Sequence, residues 1–333
     1  MVGVKNSFDP AALGTRPVRA QAGRPGSNPG VGSSVVCNLC VTRQVAGLKV
    51  RLVDVDSKIP NLALMKISAY HKAKGDSVDF YQPIEGTPDK IYASKIFDFT
   101  PDFMYYPDCE IVKGGSGYDL KAELPAEIEQ QFPDYSLYNC DYAMGFTTRG
   151  CIRKCPFCIV PKKEGYIKVV GDIYDFWNGQ ERLMLLDNNL TAMPEHFEKI
   201  LKQLIKHKIK VDFSQGLDIR LIEPEMAQLL AKVKLWKQIH FAWDDLRIEK
   251  EVRRGIEILT KNGVSKHKLM FYVLIGFNST PEEDLYRVET LRGLGVDPFV
   301  MPYNKTDPYQ RKFARWVNHK AIFKTVKWEN YIT

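Results

Sequence analysis

Three cysteines stand within eight residues in Cys151-Ile152-Arg153-Lys154-Cys155-Pro156-Phe157-Cys158, a C-x3-C-x2-C arrangement. Thiolates this close can wrap one metal centre. Their number bears on which kind, because a structural zinc site takes four ligands and closes its shell, whereas three thiolates on a four-iron cluster leave one iron open for another molecule. A zinc knuckle would need Cys140 or a distant histidine to complete it. The pair Cys37 and Cys40 has no second pair, so no ligand role is read from it. Cys109 and Cys140 stand singly and read as small packed hydrophobes.

Elements must aim that loop, and from Tyr142 onward they follow a regular beat. Strands are predicted to begin near Tyr142, Arg182, Lys210, Gln238, Lys268 and Phe299, after the first step at roughly thirty-residue intervals, the size of one βα unit. The helices between them are punctuated. Pro194 opens one with Phe197, Leu201 and Leu204 on a face, and Val252, Ile256 and Leu259 precede Gly263 in another. Thr280-Pro281-Glu282-Glu283 is a capping box with proline at the first helical position, and Gly295 ends that helix. Six such units without a strand reversal predict a partial (β/α)6 TIM-type barrel over residues 140–305. Its first strand leads into the cysteines. Other polar groups collect where strands end: Asp187-Asn188-Asn189, Gln215 with Asp218 to Arg220, and Asp244-Asp245.

Residues 47–120 read as a smaller parallel α/β domain, Rossmann-like in its alternation. Lys49 to Val55 is a β-branched strand, Leu62 to Lys74 a helix ending near Gly75, and Ser77 to Tyr81, Lys90 to Phe97 and Glu110 to Val112 are further strands. Gly114-Gly115-Ser116-Gly117 turns the chain after the last. His71 reads as a solvent-facing histidine on the helix. Residues 121–139, with Pro125 and Pro133, read as a linker. Residues 1–46, with Gly, Pro and Ser concentrated at 23–34, read as disordered and carry neither a signal-peptide core nor a transit-peptide pattern. That composition also fits a cloning remnant or a misplaced start.

The chain has 333 residues, 44% hydrophobic, with no apolar stretch long enough to cross a bilayer. Seven cysteines, unevenly spaced, are no secreted disulfide framework, so a reducing, cytoplasmic setting is expected. The net charge of +7 is concentrated at the ends. Residues 1–46 hold five basic and one acidic side chain, and residues 301–333 hold seven and two, leaving the body between slightly acidic. In the tail, residues 306–333, cations alternate with Phe313, Trp316, Phe323 and Trp328. Such interleaving suits RNA contact, but Trp316, His319 or Lys320, and Phe323 fall on one helical face, so docking of an amphipathic helix on the barrel is preferred.

The cysteine spacing, in the loop after the first strand of a six-unit barrel, resembles the radical S-adenosylmethionine (SAM) superfamily over about residues 140–305. The resemblance implies that Cys151, Cys155 and Cys158 hold a 4Fe-4S cluster whose open iron binds SAM. One electron then releases methionine and a 5′-deoxyadenosyl radical, which abstracts hydrogen from a substrate. It also implies that Phe157 packs on the adenine and that Gly276, within Leu274-Ile275-Gly276-Phe277, lines the adenine with Glu282 or Glu283 behind. The family's Gly-Gly-Glu turn is replaced here by Asp187-Asn188-Asn189 and the glycine motif is only partly matched. Asn188, Gln215 and Arg220 are therefore assigned to SAM, Arg220 as partner of its carboxylate.

The smaller domain resembles, more weakly, the cobalamin-binding-like domain that precedes the barrel in one subgroup, through domain order, the PNLALM helix start and the GGSG turn. The Asp-x-His-x-x-Gly motif that ligates cobalt is absent, so cobalamin bound without it and an empty domain are equally compatible. A flavodoxin or ferredoxin is the implied reductant. The implied substrate is RNA, a protein or a small molecule, with methyl or methylthio transfer as one subgroup's chemistry. The competing class is a nucleic-acid-binding module with a structural cysteine site and a basic contact tail.

Overall fold

The computed structural model describes residues 47–332, so the Cys37/Cys40 pair lies outside the described residues. Near the start, β1 (Lys49–Asp54), α1 (Leu62–Ala73), β2 (Ser77–Phe80), β3 (Lys90–Ser94) and β4 (Glu110–Gly114) form a parallel sheet in the order β2-β1-β3-β4. Alternation along β1 divides its side chains between two covers. Val50 and Leu52 pack under Leu64 and Ile67 of α1, while Val53 joins Ile91 and Ala93 beneath Phe103, Tyr106 and Tyr118. Asn61 starts α1 by accepting from the Ala63 and Leu64 N–H groups at 3.1 and 3.2 Å, and its amide donates to Ser94 Oγ at 2.9 Å. One residue thus caps the helix and pins it to the end of β3.

His71 is not solvent-facing. It is buried, with Nδ1 2.6 Å from Asp76 and Nε2 3.0 Å from the Tyr92 hydroxyl. The helical period does not place it outside, because the face it shares with Leu64 and Ile67 turns onto the sheet.

Residues 121–139 are ordered and packed. α2 (Ala126–Glu129) buries Ile128 beside Leu64 and Ile67. The turn Tyr135–Tyr138 sends the Tyr138 hydroxyl to Asp54 at 2.6 Å and the Tyr135 hydroxyl to the Phe176 carbonyl at 2.5 Å. This segment straps the first sheet to the second unit of the chain.

Next come β5 (Ala143–Gly145), β6 (Thr148–Arg149), α3 (Val160–Lys163) and β7 (Lys168–Val169), then β8 (Arg182–Leu185), α4 (Pro194–His207) and β9 (Lys210–Phe213). After these are α5 (Pro224–Lys232), β10 (Lys234–Leu235), β11 (Ile239–Ala242), α6 (Glu249–Lys261), β12 (Leu269–Ile275), α7 (Pro281–Leu294) and β13 (Asp297–Pro302). The chain closes with α8 (Pro308–Asn318), α9 (Lys320–Thr325) and α10 (Trp328–Ile332). Two parallel sheets result, β10-β9-β8-β5 and β11-β12-β13, while β6 and β7 form a short antiparallel ribbon. No ladder joins β9 to β11. The Leu217 N–H instead donates to the His240 carbonyl at 2.7 Å.

Outward side chains Leu183, Leu185, Val211, Phe213, Ile239, Phe241, Phe271 and Val273 share one core with Phe197, Leu201, Val252 and Val288 of the helices. The inward side chains Met144, Met184 and Leu186 meet Met65 and Leu62 of α1, so the first unit packs directly on β5 and β8. The capping box at Thr280 and Glu283 is formed, and Gly295 ends α7 at φ +77°. In α7, Arg287 is buried; it pairs with Asp284 at 2.6 Å and donates to the Trp243 and Leu274 carbonyls. The tail differs from a single amphipathic helix. His319 ends α8 and caps α9 through Nδ1, which accepts from the Ile322 N–H. Both halves still bury their aromatics, Trp316 and Phe323, against the core. Among the described residues, no helix is long and apolar enough to cross a membrane.

Asp134 joins the strap to α1, accepting from Ser68 Oγ at 2.7 Å and pairing with Lys72 at 2.6 Å. Burial pushes its carboxyl up, but Lys72, Ser136 and Ser68 outweigh this and hold it at about 2. A depressed folded value stabilises fully above the unfolded value of about 3.9 and is lost as pH falls toward 2. Screening at this partly exposed site reduces the gain to about 1 kcal/mol. Urea titrations of wild type and Asp134→Asn are expected to differ by that amount at pH 7 and by less than half of it at pH 2.5.

Candidate metal centre

The cysteine loop leaves β6 through Gly150, whose φ of +88° suits glycine, and where a Cβ would stand 2.5 Å from the Tyr166 carbonyl oxygen. The Cys151 N–H donates to the Gly165 carbonyl at 3.2 Å, closing the loop on itself. What holds it from outside is the turn after β8. Asp187, 4% exposed, accepts from the N–H and hydroxyl groups of both Thr147 and Thr148. Burial pushes its carboxyl up against the pull of those donors. Asn188 Oδ1 accepts the Gly150 N–H at 3.1 Å, and Asn189 Nδ2 points at Cys151 Sγ at 3.4 Å. Three consecutive residues therefore fix three points on the approach to the first cysteine.

A second hold comes from the turn after β9. Asn189 Oδ1 accepts from Thr191 Oγ1 at 2.9 Å, and that oxygen accepts from the Asp218 N–H at 3.0 Å. The Asp218 carboxylate takes Arg153 Nε of the cysteine loop at 2.9 Å and Arg220 Nε at 2.6 Å. Burial would push this carboxyl up; the two guanidiniums outweigh it and hold it down. Burial also pushes the Cys155 thiol up, as do Cys158 and Asp244, while the Arg220 charge opposes the rise.

Cys151, Cys155 and Cys158 are half-buried and form no disulfide. Cys140 does not join them: it lies before β5, at the far end of that strand, and its thiol donates to the Tyr142 carbonyl. Among the described residues, no three His, Cys, Asp or Glu side chains converge as a single-ion site. In a four-iron cluster each cysteine binds its own iron, so its sulfurs need not converge. Three soft thiols, an N–H from Arg153 at 3.3 Å and an Asn189 amide on one sulfur, and Arg220 nearby are chemistry that fits such a cluster.

Phe157 meets Phe277 edge-on at 5.4 Å, and Phe277 meets Tyr303 at 4.9 Å, so an aromatic row runs from the cysteine loop to the end of β13. Gly276 is exposed at φ +73°, and a Cβ there would stand 2.1 Å from Gln310 Nε2. Arg220 is engaged by Asp218 and Asn188 by Gly150. The half-buried Gln215 side chain makes no hydrogen bond among the described residues. Asp244 accepts the Leu274 N–H at 2.9 Å, and Asp245 pairs with Arg247 at the surface.

Sequence reading named Phe277 only as part of the glycine motif, and missed Tyr303, the two threonines and one interior group. Asp212 of β9 is buried with both carboxylate oxygens lacking a hydrogen bond; Lys237 stands 3.2 Å away and His240 Nδ1 3.7 Å. The signal was available, since an acid between Val211 and Phe213 interrupts a buried strand.

The chain covers 76% of its length on 71% of a radical SAM methyltransferase, TsrM from Kitasatospora setae, solved with cobalamin and a 4Fe-4S cluster bound, at a TM-score of 0.57 and 12% identity. The fold is shared with that enzyme. Over 111 residues, 33% of this chain, the sequence is 24% identical to ribosomal protein uS12 methylthiotransferase RimO from Colwellia psychrerythraea, spanning 23% of that relative's length. No protein-family model matches.

The Asn189 contact yields a test. Outer partners of a ligand typically contribute 10- to 100-fold in metal affinity. Asn189→Ala protein, reconstituted anaerobically, is expected to lose iron to a chelator about 10-fold faster than wild type, with unchanged circular dichroism; equal rates would deny Asn189 a positioning role.

Proposed function

We propose that this chain is a radical SAM enzyme in which Cys151, Cys155 and Cys158 hold a 4Fe-4S cluster with one iron open to SAM. The observation that carries the reading is the three-cysteine loop anchored from two neighbouring strand ends, beside Phe157 and Gly276, on a fold shared with TsrM. In this reading β5, β8, β9, β11, β12 and β13 are the strands of one partial six-strand barrel, residues 47–120 and 140–305 are the chain's two domains, and residues 121–139 strap them together. Held by Cys151, Cys155 and Cys158, the cluster would supply the one-electron reduction that cleaves bound SAM. The chain's residues orient and shield. Phe157 and Phe277 flank the adenine, Gly276 lines it with Gln310 filling the space its Cβ would take, and Gln215 supplies the unspent amide. Arg220 and Arg153, already balanced by Asp218, set the charge around the sulfurs.

The reaction completed on substrate is methyl or methylthio transfer, by the precedent of both relatives; a second SAM would supply the methyl group, and methylthio transfer would need a sulfur donor besides. Cobalamin fits the first unit only without an imidazole ligand from it, because His71 is committed to Asp76 and Tyr92. A flavodoxin or ferredoxin supplies the electron in a cytoplasmic setting.

Anaerobically reconstituted protein, reduced with dithionite in the presence of SAM, is expected to form 5′-deoxyadenosine and methionine. Cys151→Ala, Cys155→Ala and Cys158→Ala each abolish the product while the melting temperature of the apoprotein stays unchanged. Zinc-loaded protein that never forms the nucleoside would make the cysteines a structural metal site.

A further inference from the structure

The C-terminal segment separates its aromatics from its cations. Phe313 and Trp316 of α8 are fully buried, Phe323 of α9 is 5% exposed, and Trp328 packs on Phe313 and Trp316 at 4.9 and 5.2 Å. These rings are committed to the core and cannot stack on a base. The opposite face of α8 presents Arg311, Lys312 and Arg315 to solvent. Together with Pro308 and Tyr331 they line a surface groove of about 460 Å³.

This face is charged differently from the other long helices. α4 and α6 pair several of their cations along the helix, as Lys202–Glu198, Arg253–Glu249 and Lys261–Glu257, and others with neighbouring acids, as Lys199–Asp172 and Arg254–Glu223. Arg311 and Arg315 have no carboxylate partner among the described residues. Acids are scarce there: residues 301–333 contain two, and Asp307 is engaged as the cap of α8, accepting the Gln310 N–H at 2.8 Å. The position of the groove matters as much as its charge. Gln310, adjacent to Arg311, is the buried side chain that fills the space beside Gly276. One side of the first turn of α8 therefore borders the candidate site, and the other begins the cationic groove.

We propose that this groove binds the phosphodiester backbone of a single-stranded nucleic acid and holds it beside the candidate site. Guanidinium groups four residues apart on a helix lie about 5–6 Å from each other at Cβ and can each grip a phosphate in a bidentate fashion. A membrane surface is the poorer partner, because no large apolar side chain is exposed between residues 308 and 331 and interfacial helices need an apolar face. With the aromatics buried, contact is electrostatic and indifferent to base sequence. The proposal stands on charge and shape, and does not depend on the cluster chemistry.

Fluorescence anisotropy with a labelled 20-nucleotide RNA of mixed sequence, and with the matching single-stranded DNA, tests it on the full chain at several salt concentrations. Wild type is expected to bind both at 50 mM salt. Arg311→Ala/Arg315→Ala is expected to bind at least about 10-fold more weakly, with a salt slope smaller by about 1.4, at about 0.7 per lost phosphate contact. Arg311→Lys/Arg315→Lys retains most of the slope, and circular dichroism confirms that both variants fold. Equal affinity and slope in the alanine variant would overturn the proposal, since binding would then lie elsewhere on the chain. So would saturable binding of pyrophosphate by a protein that binds neither strand.

Discussion

A single buried carboxylate, Asp187, governs the geometry on which the candidate site depends. It ends β8 and takes four donors from Thr147 and Thr148, so the chain leaving β5 cannot move relative to the neighbouring strand. Burying a charge is costly unless its lone pairs are met, and here four donors meet them. The next two residues extend the same hold to Gly150 and Cys151. A cysteine loop on its own is a flexible segment; on this anchor its first sulfur has a fixed place.

The anchor needs β5 and β8 to be held in register, and packing from two sides does so. On the outer side the apolar residues of β8 lie under α4; on the inner side Met144 and Met184 lie against Met65 of the first unit. Tyr135 adds a directional tie, with its hydroxyl between the Phe176 carbonyl and the Met144 N–H. The first unit is thus part of what stiffens the strand that carries the cysteines. Asp212 with Lys237 and His240 is one polar exception to this apolar packing, as is the Arg287–Asp284 pair. Such groups cost stability unless paired, which is why proteins keep them sparingly.

Sequence reading succeeds where the signal is local. Capping at Thr280, the glycine end of α7 and the onsets of β8 and β9 at Arg182 and Lys210 were legible because each rests on a few adjacent residues. The cysteine spacing was legible for the same reason. What was illegible depends on contacts distant in sequence. His71 is buried because Tyr92, on another strand, accepts its company. The strap at 121–139 has no period of its own and is ordered by Asp54 and Phe176. Asn188 and Arg220 were visible as polar residues at strand ends, but their present partners, Gly150 and Asp218, could only be seen in the fold.

If three cysteines on an anchored loop hold a cluster with one iron left for SAM, that iron differs from the other three. Mössbauer spectroscopy of protein reconstituted with 57Fe, recorded with and without SAM, addresses it most directly. A four-iron spectrum is expected, in which one iron alone changes its isomer shift when SAM is added. A spectrum that SAM leaves unchanged, or a protein that takes up one zinc and no iron, would contradict it.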